Sequence, residues 1–134
     1  MIGIVLAGHG SFCEGLRDAA QMIMGPQEHL AVVPLGPAEN LDEYREKLER
    51  ARDEVDSGDG VLVFVDLFGG SPSNVSAYLL GASTEVVTGV SLPMLLEVLS
   101  ARTGSLTDVV NTAVASAQLG TIRLADRIGA GGGS

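Results

Sequence analysis

A histidine between two glycines, Gly8-His9-Gly10, and an aspartate, Asp66, that precedes Gly69-Gly70-Ser71 are the residues of this chain whose types and spacing could do chemistry together. A carboxylate that accepts the Nδ1–H of an imidazole fixes its tautomer and leaves Nε2 free as a nucleophile. The glycines beside His9 let a partner approach closely. Ser11 stands three residues before Glu14, the spacing of a capping box, and is expected to open a helix. Ser71 is expected to cap another. Unpaired N–H groups at two such helix starts, with Gly10, Ser11, Gly69, Gly70 and Ser71 around them, would form a small anion nest. Taken singly, each feature also fits a turn or a surface acid. Together they describe a site that receives a phosphoryl group.

For His9 and Asp66 to meet, both must leave the same edge of one sheet. Residues 2 to 7 form an apolar run typical of a strand covered on both faces, and His9 follows it. Val61 to Val65 is the most hydrophobic run and reads as a central strand, with Asp66 at its end. Leu30 to Leu35 and Glu85 to Gly89 read as two further strands. Between them lie helical patterns: Phe12, Leu16, Ala19, Ala20 and Ile23, ended by Gly25-Pro26, then Leu41, Tyr44, Leu48, Ala51 and Val55 behind an Asn40 cap. A third helix is predicted over 72–80, a fourth from Pro93, and a fifth from a Ser105 cap to about Leu119. Thr121 to Leu124 alternates weakly and could form an antiparallel edge strand. The alternation predicts an α/β fold with an open, mainly parallel sheet of four strands flanked by helices. In such sheets, ligands gather outside the carboxyl ends of the strands. The domain is expected to span 1–128, with 129–134 a flexible glycine-rich tail.

Composition narrows the partners. The chain has 134 residues, enough for one domain, and 46% are apolar with no tryptophan, so the core must be aliphatic. Seventeen acidic residues face eight basic ones, for a net charge of −9. Such a surface disfavours nucleic acid and anionic lipid and could attract a basic protein. No apolar run nears the roughly 20 residues that cross a bilayer. The first positive side chain is Arg17, so no secretory signal is expected, and the single cysteine fits a reducing, cytoplasmic setting.

Other chemistries fit less well. Cys13 lies four residues after His9, so a Cys–His nucleophile pair is conceivable, but a small core thiol is the commoner case. His29 precedes the second strand at the opposite edge and is expected to be solvated. A receiver domain would need further acids after the first strand and a late lysine. A dinucleotide site would need a third glycine and a ribose-binding acid after Leu35. A small tetrapyrrole metal chelatase also ends its first strand in such a string, but it needs a second histidine near the site.

The strings GHGS from Gly8, VDLFGGSP from Val65 and GVSLPMLLE from Gly89 occur in that order. With them the chain resembles the IIA domain of the mannose-family sugar phosphotransferase system, from residue 1 to about 120. Ser91 departs from the pattern, many relatives having asparagine there. The resemblance implies a phosphohistidine carrier, with phosphoryl taken from the phosphocarrier HPr onto Nε2 of His9, oriented by Asp66. It would then pass to a IIB domain linked to a membrane permease. It implies a homodimer, in which a terminal strand lends itself to exchange, and no metal or organic cofactor. A regulatory domain that senses phosphorylation and acts by binding is the alternative it leaves.

Overall fold

The apolar runs become the strands of one sheet in the computed structural model, which describes residues 1–129. The strands β1 (Gly3–His9), β2 (Leu30–Leu35), β3 (Val61–Val65) and β4 (Thr84–Thr88) are all parallel and stand in the order β2-β1-β3-β4. Six helices follow them: α1 (Phe12–Met24), α2 (Leu41–Val55), α3 (Ser71–Ser76), α4 (Leu92–Ser100), α5 (Leu106–Leu119) and α6 (Leu124–Arg127). The expected α/β architecture is the one found. The chain winds outward from β1 to β2, then returns to β1's other side for β3 and β4. Winding therefore reverses between β1 and β3, and a crevice opens there at the carboxyl edge.

Alternation along β1 and β3 divides the core into two layers. Ile4, Leu6, Leu62 and Phe64 face α1, α4 and α5, where they meet Leu16, Met94, Leu95, Val98 and Val109. Val5, Ala7, Val61, Val63 and Val65 face α2 and α3, where Tyr44, Leu48, Val55 and Val75 cover them. All of β3 is buried, as its uninterrupted apolar run requires. Burying one such side chain fully contributes roughly 1.5–3 kcal/mol.

The caps divide into those that form as expected and those that do not. Asn40 accepts the Glu43 N–H at 3.0 Å and Ser105 that of Asp108 at 3.1 Å. Ser91 does the same for Met94. The Ser11 capping box does not form. Gly10, at φ +55°, turns the chain so that Ser11 sits at φ −93°, ψ 12° rather than extended, and its hydroxyl caps nothing. Ser71 is no cap either. With Pro72 in the first turn of α3, Gly70 takes the cap position and Ser71 is already helical.

Several boundaries move. β1 runs to His9 because Gly8 and His9 still pair with Pro34 and Leu35. α3 stops at Ser76 and tightens into a 3-10 turn at Ala77–Leu79. The expected edge strand at 121–124 is absent: 121–123 are irregular and Leu124 opens α6. The Thr121 N–H bonds Gln118 O, and Arg123 O and Leu124 O accept the N–H groups of Asp126 and Ile128 in the helical turn that follows. Weak alternation does not make a strand without a neighbour to pair with. Of the expected tail, 130–134 lies outside the described residues.

At the amino edge, Arg102 is the clamp. Its guanidinium is buried and donates from Nε to Ile2 O (2.9 Å) and from Nη2 to His29 O (2.7 Å). The Ile2 N–H returns a bond to Arg102 O. The start of β1, the start of β2 and the end of α4 are thus tied at one point. Arg102→Ala should lower stability by about 3 kcal/mol, because two charge-assisted bonds vanish and the buried Ile2 carbonyl loses its donor, while His29 O keeps only the Ile4 N–H. Urea unfolding followed by circular dichroism measures this; an unchanged midpoint would show that the clamp contributes nothing.

Candidate functional site

The site is assembled at the carboxyl edge, where winding reverses. His9 is the last residue of β1, and Asp66 follows β3 directly, its N–H donating to Ala7 O at 3.2 Å. That backbone bond extends the β1–β3 ladder one step and turns the Asp66 side chain back toward His9. Gly10 N–H donates to Leu35 O, after which its positive φ leads the chain away into α1. The imidazole is left standing at the edge, with 49% of the side chain exposed, while Asp66 is 11% exposed beneath it.

The carboxylate of Asp66 accepts from three donors. Its Oδ2 accepts the His9 backbone N–H at 2.9 Å and lies 2.7 Å from His9 Nδ1; its Oδ1 accepts the Leu67 N–H at 2.9 Å. An ionised carboxylate only accepts, so the hydrogen of this contact sits on Nδ1, and in the neutral ring that leaves the lone pair on Nε2. Burial alone would raise the pKa of Asp66. The bonds from the His9 N–H, the His9 ring and the Leu67 N–H outweigh it and hold the carboxyl below the ordinary value. The group is therefore charged wherever the protein is folded near neutral pH.

The glycine-rich turn closes on the same ring. Gly69 takes φ +91°, which favours glycine, and brings Gly70 against the imidazole. The first intrahelical bond of α3 runs from Asn74 N–H to Gly70 O. The N–H groups of Ser71 and Ser73 are thus left without a helical acceptor at this edge, Pro72 having none to offer. The structure brings His9, Asp66 and Gly70 together. It makes no side-chain hydrogen bond from exposed Ser11 or half-buried Ser71 to the ring.

Cys13 is fully buried, and burial, with the nearby Asp66 charge, pushes its thiol up to about 12. A protonated, enclosed thiol is no nucleophile, so the core reading stands over the Cys–His pair. His29 precedes β2 at the amino edge, half-buried and not fully solvated as expected, a full strand length from His9. The second histidine that a chelatase would need is therefore not at the site. Among the described residues, no three His, Cys, Asp or Glu side chains converge as a ligand set. Leu67 went unread from the sequence because its contribution is a backbone N–H, which any residue type supplies.

Comparison with known proteins identifies the family of the chain. The family model described as "PTS system fructose IIA component" (EIIA-man) matches residues 3–115. A "PTS system fructose-specific EIIA component" of Bacillus subtilis is 36% identical over 121 residues, which cover 88% of this chain and 83% of that protein. The "PTS system mannose-specific EIIAB component" of Escherichia coli is 38% identical over 103 residues; these are 75% of this chain but only 32% of the longer relative. Among solved structures, a phosphotransferase system component EIIA from Streptococcus agalactiae superposes with a TM-score of 0.85 at 28% identity, covering 94% of this chain and 99% of that one. No described helix is long and apolar enough to cross a membrane. The chain belongs to the mannose-type IIA family of the sugar phosphotransferase system, and its role is that of a phosphoryl carrier.

Proposed function

We propose that His9 accepts the phosphoryl group on Nε2, from phospho-HPr, and donates it to a IIB domain in the cytoplasm. The observation that carries this is the 2.7 Å contact of Nδ1 with a carboxylate held ionised by its surroundings. The Nε2 lone pair forms a P–N bond while the bond between phosphorus and its donor atom breaks, that electron pair leaving with the donor. The Nδ1 hydrogen stays in place. The ring becomes positively charged, and the adjacent Asp66 carboxylate stabilises it, as a carboxylate does for an imidazolium in other histidine sites. The Ser71 and Ser73 N–H groups support the reading as donors at the same edge. Reversal of the step onto a second acceptor completes the carrier cycle.

Two proteins must dock in turn where His9 is exposed, and the side chains beside it suit brief contacts. Phe68 is 83% exposed, with Leu67 and Phe12 about half exposed. The net charge of −9 attracts a basic partner over a distance that salt shortens to about 8 Å at physiological ionic strength. Incubation with phosphoenolpyruvate, enzyme I and HPr, read by intact mass, should add one phosphoryl group to the wild type and none to His9→Ala. Asp66→Asn should slow transfer about 10²-fold, since an amide has one acceptor oxygen for three donors. Phe68→Ala should weaken transfer with the fold intact, and Cys13→Ser should stay within a few-fold of wild type. Phosphorylation that survives His9→Ala would sink the assignment.

A second copy of this chain is the remaining partner. Leu119, Ile122, Leu124 and Ile128 are half to three-quarters exposed within one short stretch, a concentration of apolar surface suited to burial in a homodimer. The wild type should sediment as a dimer at micromolar concentration, and Leu124→Asp should shift it toward the monomer. A monomeric wild type would contradict this.

A further inference from the structure

Gly70 has a backbone that any residue could adopt, φ −83° and ψ 174°, so its conformation does not explain why it is glycine. Space does. A Cβ built on Gly70 would stand 2.9 Å from His9 Cε1 and 3.5 Å from Nε2, with Leu67 at an ordinary 3.7 Å. The first distance is shorter than carbon atoms tolerate, and the atom it strikes is on the imidazole itself. The same holds one step below. A Cβ on Gly8 would lie 2.9 Å from Cys13 Sγ and 3.1 Å from the Asp66 carboxylate carbon and Oδ2. Gly8 also has an ordinary φ, since it is not among the residues with positive values. The imidazole and its carboxylate thus lie against two bare backbones, Gly70 beside the ring and Gly8 beside the acid.

We propose that Gly70 is a positioning residue for the phosphoryl acceptor, and that Gly8 does the same for Asp66. The absent side chains form a slot in which the His9–Asp66 pair has one pose. Asp66 fixes the ring at Nδ1, and the Gly70 backbone limits its rotation at the Cε1–Nε2 edge. A methyl group at 70 would swing the ring out, lengthen the 2.7 Å contact and turn Nε2 off its line of attack. This role rests on His9 being the acceptor, which it deepens by naming what holds the ring in line. Displacement of about 1 Å at a reacting atom can cost up to ~10²-fold in rate.

Gly70→Ala tests it, with Gly15→Ala in α1 as the control, since nothing lies within 4 Å of a Cβ there. The first readout needs no phosphoryl transfer: the ¹⁵N and ¹³C resonances of the His9 ring in the unphosphorylated protein. Gly70→Ala should lose the single Nδ1–H signature while circular dichroism and the melting temperature stay near wild type. In the transfer assay, kcat should fall about tenfold or more, with KM for phospho-HPr within about twofold. Gly8→Ala should give the same ring signature; if sulfur crowding unfolds it, Gly8→Ala/Cys13→Ala removes that clash and leaves the one with Asp66. An unchanged ring spectrum and rate in Gly70→Ala would overturn the proposal. A shifted ring in a protein whose wild type takes no phosphoryl group would uphold the positioning role and overturn the carrier assignment of His9.

Discussion

The structure at its carboxyl edge depends on one largely enclosed charge, the Asp66 carboxylate, being held by hydrogen bonds where two strands separate. A carboxylate this enclosed is costly to keep ionised without donors. Here it has three, two from His9 and one from Leu67. Each is fixed by backbone that the sheet itself orders. The Ala7–Asp66 bond sets the register, the end of β1 presents His9, and the turn after β3 presents Leu67. The native pKa of Asp66 is lowered, so this network stabilises the fold at pH values above the ordinary aspartate range. That contribution disappears as the pH falls through the lowered native value. One interaction thus serves stability and tautomer choice together.

Rigidity around this point comes from the layers on either face. β1 and β3 are the inner strands of a sheet whose side chains are apolar on both sides, with helices covering each. Such a core has few ways to shift. The imidazole, in contrast, is half exposed, as the proposed docking of two partners in succession requires. A largely enclosed acid beneath a half-exposed imidazole pairs a fixed support with an open tip. The short glycine turn at 69–70 lets the start of α3 approach without covering Nε2.

Much of this was legible in the sequence because it followed from apolar pattern and from residue types with fixed habits. The uninterrupted run Val61–Val65 could only be an inner strand, and Asn40 and Ser105 cap as their types prefer. His9 and Asp66 were brought to one edge by the rule for parallel sheets alone. What failed depended on backbone geometry that type does not encode. Ser11 has the right spacing for a capping box, yet the turn at Gly10 denies it the extended conformation. Ser71 was displaced from its cap position by the demands of Pro72. The pattern at 121–124 lacked a neighbouring strand, and periodicity says nothing about neighbours. The fit of Gly70 against the imidazole was invisible for the same reason, because glycine reads as a turn until the ring beside it is seen.

The central claim is that Asp66 reserves Nδ1 and so directs phosphoryl to Nε2 of His9. The direct measurement is the ¹⁵N spectrum of the phosphorylated protein made with ¹⁵N-labelled histidine, read for coupling to ³¹P. The account predicts coupling at one nitrogen, Nε2 of His9, with the hydrogen retained on Nδ1. Coupling at Nδ1, or at His29, would contradict it.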